Sequence, residues 1–154
     1  MHKLGLPALL LVFLLMSVAN AANAPEYHVI FGHLEKQANG AIQISSANRI
    51  PLLTQAAGYE FGVMIERSEG RGFQDYVEYQ LPAPAAATSG SLHPVDTESR
   101  VLRQVFNETT NRWVGSLFFH DGDPPGEWQV TVYVAGNKIF EQKFQVYKEL
   151  DVSE

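Results

Sequence analysis

Cysteine is absent from all 154 residues. No disulfide can therefore staple the fold, no thiolate can serve as nucleophile or metal ligand, and no lipid can be joined to an N-terminal cysteine after export. Clustered Lys and Arg are absent as well. The 11 basic residues are scattered among 17 acidic ones for a net charge of −6, so the counterion-releasing patch that nucleic-acid binding draws on is missing. After the first 21 residues no segment places apolar side chains at helical spacing over three turns. The sequence also lacks a Gly-x-Ser-x-Gly turn, a Cys and His pair and the zinc-protease helix motif, which removes the recognisable routes to covalent and metal-assisted hydrolysis.

What is present begins with a leader. Met1-His2-Lys3 is followed by a run from Leu4 to Val18 in which only Gly5, Pro7 and Ser17 interrupt bulky apolar side chains and Ala. The run is shorter than the roughly 20 residues a membrane span needs, and small residues follow at once. Ala19-Asn20-Ala21 and Ala22-Asn23-Ala24 both fit a peptidase site. Pro25 would sit just after the second scissile bond, so cleavage is expected after Ala21. Residues 1–21 read as a bacterial signal peptide and 22–154 as one exported domain, periplasmic or secreted, with no stable membrane insertion after cleavage. Loss of Lys3, the leader's only Lys or Arg, takes the net charge from −6 to −7. An acidic surface of this kind serves solubility.

The remaining chain reads as strands. Tyr27 to Glu35 alternates, with Ile30 and Leu34 on one face and Tyr27, Val29 and Phe31 on the other; Ala41 to Ser45 follows after a Gln37 to Gly40 turn. Arg49 to Thr54 is extended, and Pro51 assigns it to an edge or a bend. Tyr59 to Glu66 sets Phe61, Val63 and Ile65 against Gly62, Met64 and Glu66, and Asp75 to Leu81 sets Val77, Tyr79 and Leu81 inward with Tyr76, Glu78 and Gln80 outward. Pro82 to Pro94 is Pro, Ala, Ser, Thr and Gly with hardly a packing residue, and reads as a flexible exposed loop at 82–94. Val101 to Asn107, Trp113 to His120 and a final hairpin complete the set. In that hairpin Trp128, Val130, Val132 and Val134 precede an Ala135 to Lys138 turn and a return strand with Ile139, Phe140, Phe144 and Val146. Strands of this number and spacing imply an all-β, two-sheet antiparallel sandwich of about seven to eight strands.

Two blocks carry a resemblance. One is Pro125-Gly126-Glu127-Trp128-Gln129-Val130-Thr131-Val132-Tyr133 with Gly136, Ile139, Glu141, Phe144 and Val146; the other is Arg49-Ile50-Pro51 with Gly58-Tyr59-Glu60-Phe61-Gly62-Val63. In order, they resemble a bacterial family of exported immunoglobulin-like β-sandwich domains, a domain of unknown function, over about Tyr27 to Tyr147. The resemblance implies the sandwich fold and no activity, and it transfers no catalytic or binding residue.

The residues that could carry chemistry give little. His28 and His33 lie five apart on a strand and point to opposite faces, which separates them as metal ligands. Asp121-Gly122-Asp123 invites a calcium reading, but Pro124 and Pro125 stand where further ligands would be needed, so a tight turn is expected. Ser91 and His93 lack a positioning acid, and Glu66 and Glu69 read as solvated carboxylates. No catalytic residue, metal or cofactor is assigned. Binding suits a sandwich better. Phe73, Tyr76, Tyr133 and Tyr147 fall outside the core alternation and form the candidate aromatic surface. The expectation is a non-catalytic binding or accessory module whose partner is an envelope protein or a glycan, and not a nucleic acid. The alternatives are a small exported hydrolase with an unrecognised site and a carrier of a small apolar ligand held between the sheets.

Overall fold

Alternating apolar and polar side chains drive this chain into strands, and the computed structural model describes residues 26–52, 60–87 and 92–148. The expected leader and its cleavage site lie outside the described residues. Among the described residues ten strands run in chain order: β1 Tyr27–Lys36, β2 Ile42–Ser46, β3 Arg49–Pro51, β4 Glu60–Arg67, β5 Phe73–Gln80, β6 Leu92–Pro94, β7 Val101–Glu108, β8 Arg112–Leu117, β9 Gly126–Val134 and β10 Asn137–Tyr147. They form two sheets, one of four strands in the order β2-β1-β4-β8 and one of six in the order β3-β10-β9-β5-β7-β6. The all-β two-sheet reading holds, with two changes. Among the described residues the strands number ten: Leu92–Pro94 is a three-residue edge strand in place of the expected loop, and the extended Arg49 segment forms the other short edge strand, as Pro51 requires. The pairing is not wholly antiparallel, since β3 runs parallel to β10.

Inward positions of both sheets meet in one core. Phe31, Val63, Ile65 and Leu117 come from the four-stranded sheet, and Ile50, Val77, Tyr79, Trp128, Val130, Val132, Phe144 and Val146 from the six-stranded one. Each fully buried aliphatic or aromatic side chain contributes on the order of 1.5–3 kcal/mol. Aromatic contacts tie the layers together: Phe31 lies 4.5 Å from Phe144, and Trp128 lies 5.5 Å from Phe119. The Trp128 indole N–H is satisfied by the Pro124 carbonyl at 2.8 Å. Its hairpin turns through Ala135 and Gly136, whose φ values of 49° and 76° match the twist of the flanking strands.

Of the Pro82 to Pro94 stretch expected as a flexible exposed loop, residues 88–91 lie outside the described residues, and the parts on either side are anchored. Leu92, its one bulky apolar residue, is buried, and Leu92–Pro94 pairs with β7 as β6. Ala85 packs against the core, and the Ala86 N–H donates to Asp123 Oδ1 at 3.0 Å. Burial of Leu92 in the main core and its pairing with Gln104 of β7 together seat this short edge strand.

The outward side of the four-stranded sheet holds a second apolar cluster. Leu34, Ile44 and Met64 are buried there, with Ile30 and Val114 packed against them. Arg112 on β8 donates to the Ile42 carbonyl on β2 and contacts Met64 Sδ at 2.9 Å, although β1 and β4 separate β8 from β2 in the sheet. Strands sit about 4.8 Å apart, so an arginine cannot span three spacings along a flat sheet. The β1–β2 hairpin therefore curls back over the face. Gly32 and Gly62, directly opposite one another, mark the crease. A Cβ at Gly32 would lie 1.9 Å from the Ser45 carbonyl oxygen, and one at Gly62 would lie 1.9 Å from that of Gly115. Only glycine permits strands to fold this sharply.

Candidate functional site

The middle of the six-stranded sheet brings the outward residues of β7, β5 and β9 into register. Tyr76 on β5 faces Val105 of β7 on one side and Tyr133 of β9 on the other, while Glu78 faces Arg103 and Thr131. The rings of Tyr76 and Tyr133 lie 4.8 Å apart with a 35° tilt. The Arg103 guanidinium stands 3.8 Å from the centre of the Tyr76 ring. Glu78 fixes it there: Arg103 Nε donates to Glu78 Oε2 at 3.1 Å, and Nη2 donates to the same oxygen. Because β5 lies between β7 and β9, Arg103 and Tyr133 cover opposite faces of Tyr76.

This stack is electrostatically closed on itself. The hydrogen bonds to Glu78 hold the Arg103 pKa above its ordinary value, and the carboxylate cancels the guanidinium charge. Partial burial raises the Tyr76 phenol pKa against the opposing pull of Arg103. Beside the stack, Val105 is 65% exposed. A shallow groove of about 450 Å³ adjoins it, lined by Gln74, Asp75, Val105, Asn107 and the Ala135-Gly136 turn. The face thus offers rigid aromatic and aliphatic area with little net charge.

Of the four aromatics expected on the surface, the structure brings Tyr76 and Tyr133 together. Phe73 is a correction. It is buried, packed edge-on against Phe106 at 5.6 Å and Tyr27 at 5.9 Å. Strand β5 begins at Phe73 and not at Asp75, which extends the inward series of Tyr79 and Val77 back through that position. Tyr147 is outward but apart. It pairs with Pro51 at the far end of β10, whereas Tyr133 pairs with Lys138 at the hairpin end, and its ring carries the Arg49 guanidinium at 5.1 Å. Arg103, Glu78 and Val105 were not legible as site residues, because only the β5–β7 register places them around Tyr76.

The other candidates are engaged elsewhere. His28 and His33 occupy positions of opposite parity on β1, and His33 lies 3.4 Å from Glu35. Among the described residues no group of three or more His, Cys, Asp or Glu side chains is placed to hold a metal. The Asp121-Gly122-Asp123 segment is a turn. Asp123 is buried, its Oδ2 accepting the His120 N–H at 2.7 Å and its Oδ1 the Ala86 N–H, so both oxygens fasten backbone. At one end of the sandwich a polar groove of about 350 Å³ gathers His28, Glu66, Arg67 and Ser68. Arg67 there donates to the Gly72 carbonyl at 2.7 Å, and Ser68 Oγ accepts the Glu26 N–H at 3.0 Å. Among the described residues no helix is long and apolar enough to cross a membrane.

Comparison with solved structures places the architecture. An immunoglobulin-like protein from Pseudomonas aeruginosa superposes with a TM-score of 0.54 at 19% identity, over 82% of this chain and 99% of that one. The fold is therefore immunoglobulin-like. An alkylpurine DNA glycosylase from Pseudomonas fluorescens, solved with DNA, is 15% identical over 77% of this chain and 30% of its own, with a TM-score of 0.28. That value is too low to relate the two. No curated protein matches the chain. The model of the PM0630 beta sandwich domain matches residues 29–147, a span from the first strand to the end of the last, and the chain belongs to that family.

Proposed function

We propose that this chain is an exported, non-catalytic binding module, periplasmic or secreted after removal of residues 1–21, which docks a protein partner on the outward face of its six-stranded sheet. The observation that carries the reading is the fixed Arg103–Tyr76–Tyr133 stack beside the exposed Val105. Tyr and Arg are the side chains that most often anchor interfaces, and anchors held in place before binding lose less entropy when a partner arrives. Glu78 and the cross-strand register supply that holding.

Geometry also bears on the choice between protein and glycan. A sugar stacks on an aromatic ring through an open face. Both faces of Tyr76 are already covered, by Arg103 and by Tyr133. A protein surface can instead pack over the stack as a whole and over Val105.

The test immobilises the tagged mature protein in native envelope extract and identifies retained proteins by mass spectrometry, beside Tyr133→Ser and Arg103→Ala. A partner held by the wild type and weakened about tenfold by either variant, equivalent to about 1.4 kcal/mol, supports the reading. Equal recovery by Tyr133→Ser, with its thermal midpoint unchanged, removes it. Retention of a polysaccharide in place of any protein transfers the face to a glycan.

A further inference from the structure

Sheet edges carry unpaired backbone groups, and native sandwiches blunt them with brevity, proline, charge or a covering segment. Three edges here are managed in those ways. The six-stranded sheet ends on β3 and β6, each three residues long and each closing on a proline, Pro51 or Pro94. At β2, the hairpin curls inward, Arg112 takes the Ile42 carbonyl and Gln142 Nε2 takes the following Ala47 carbonyl at 2.9 Å. Strand β8 is different. Arg112–Leu117 is six residues long, contains no proline or lysine, and has its one charged residue at the end.

The direction of its backbone can be read from the pairing with β4. The Asn111 carbonyl accepts the Arg67 N–H at 2.8 Å, and the Gly115 carbonyl oxygen points at Gly62. Alternation then turns the N–H and C=O of Arg112, Val114 and Ser116 toward the open side. Arg112 is capped there, with the Thr110 hydroxyl 3.2 Å from its nitrogen and 2.9 Å from its oxygen. Among the described residues, the outward backbone groups of Val114 and Ser116 have no such cover.

We infer that β8 pairs, antiparallel, with β8 of a second copy of this chain across a two-fold axis at Gly115. In that register Val114 stands opposite Ser116 of the second copy, and Ser116 opposite its Val114. Each is a hydrogen-bonded pair that exchanges both backbone bonds, so every uncovered group on the edge is satisfied. Gly115 meets its counterpart at the axis, where the strands come closest and a side chain would crowd, and Trp113 falls opposite Leu117 of the second copy. Arg112 falls six residues along from its counterpart, about 20 Å away at strand rise and beyond the Debye length at physiological salt, so like charges do not oppose the pairing. The two four-stranded sheets become one of eight strands. The Tyr76 face lies on the other sheet of each copy and stays open.

Sedimentation velocity on the mature protein over a wide concentration range tests the inference, with Ser116→Pro and Ser116→Lys alongside. Proline removes a donor that points away from β4, and lysine puts charge on the edge while leaving all donors in place. The expected result is a concentration-dependent dimer in the wild type and at least about tenfold weaker association in a variant whose far-UV spectrum is unchanged. A wild type that stays monomeric throughout overturns the inference, as does a dimer that survives both substitutions. A monomer that instead binds an unrelated extended peptide, and loses it on Ser116→Lys, assigns the edge to a different partner and overturns the second-copy reading.

Discussion

On the four-stranded sheet the outward positions Ile30, Leu34, Ile44, Met64 and Val114 are apolar, and the chain folds its own hairpin over them. On the six-stranded sheet Tyr76, Tyr133 and Val105 stand outward, and among the described residues no strand is laid across them. The covered face needs a device, the crease at Gly32 and Gly62, without which β1 and β2 would continue flat and leave the cluster wet. The open face needs a different one. Tyrosine places a polar tip at the end of each ring, and Arg103, held by Glu78, covers one face of Tyr76 while Tyr133 covers the other, so aromatic area is kept in a fixed shape without a lid. Apolar character on an outward strand position therefore does not by itself mark a binding surface; whether the chain has the means to cover it decides.

The strongest way to break the contrast is to stiffen the crease. Gly62→Ala sets a Cβ against a backbone oxygen that has nowhere to move, and a loss of about 3 kcal/mol in urea unfolding is expected. A loss below about 1 kcal/mol would mean that the hairpin can cover the face without the glycine. Next in size is a pair of truncations, one on each face. Leu34→Ala, in the covered cluster, should lose about 2–3 kcal/mol. Val105→Ala, 65% exposed on the other face, should stay within about 0.5 kcal/mol. Equal losses would erase the distinction between the faces.

How far these faces were legible beforehand depends on the range of the interaction involved. Parity along one strand is local, and it correctly opposed Ile30 and Leu34 to Phe31, and Tyr76 to Tyr79. It failed at Phe73 because strand parity is only as good as the strand's first residue, and β5 starts two positions earlier than the Asp75 assignment. Leu92 was hidden by composition, one leucine in a run of small residues whose partner strand β7 follows later in the chain. The site itself depended on register. Nothing in sequence spacing says that Arg103 stands across from Glu78 and reaches over Tyr76, because those residues are 25 and 27 positions away along the chain and become neighbours only through β5–β7 pairing. The crease was equally hidden: Gly32 and Gly62 read as ordinary strand glycines until β1 and β4 are aligned.

A smaller effect isolates the latch from the crease. Arg112→Ala removes the donor to the Ile42 carbonyl and the contact with Met64 while leaving both glycines in place. The half-exposed pair with Glu66, at 3.3 Å, adds little in solvent. Global stability should fall by about 1 kcal/mol, the net worth of a hydrogen bond. Amide exchange across β2 should quicken more than that across β9, since opening the hairpin leaves the main core intact. Uniform quickening would show that the hairpin does not open as a separate unit.

A further effect, weak at neutral pH, sets the two faces of a single strand against each other. Tyr79 is fully buried between the sheets, and among the described residues its hydroxyl finds no hydrogen-bond partner; Tyr76, three positions back, faces out under Arg103. Burial pushes the Tyr79 phenol pKa far above its ordinary value of 10.0, so the native state keeps a proton that the unfolded chain gives up near that pH. Above about pH 10 the unfolded state binds fewer protons than the native one, and stability falls with rising pH by up to about 1.4 kcal/mol per unit. Tyr79→Phe should change neutral stability by no more than about 1 kcal/mol, because it removes a buried hydroxyl that gains nothing, and it should flatten that alkaline limb. Tyr76→Phe should flatten it less, since the guanidinium opposes the upward shift that burial gives Tyr76. Urea midpoints measured from pH 8 to 11 for both variants check the order, and a larger flattening by Tyr76→Phe would place the desolvated phenol on the outward face and reverse the reading of β5.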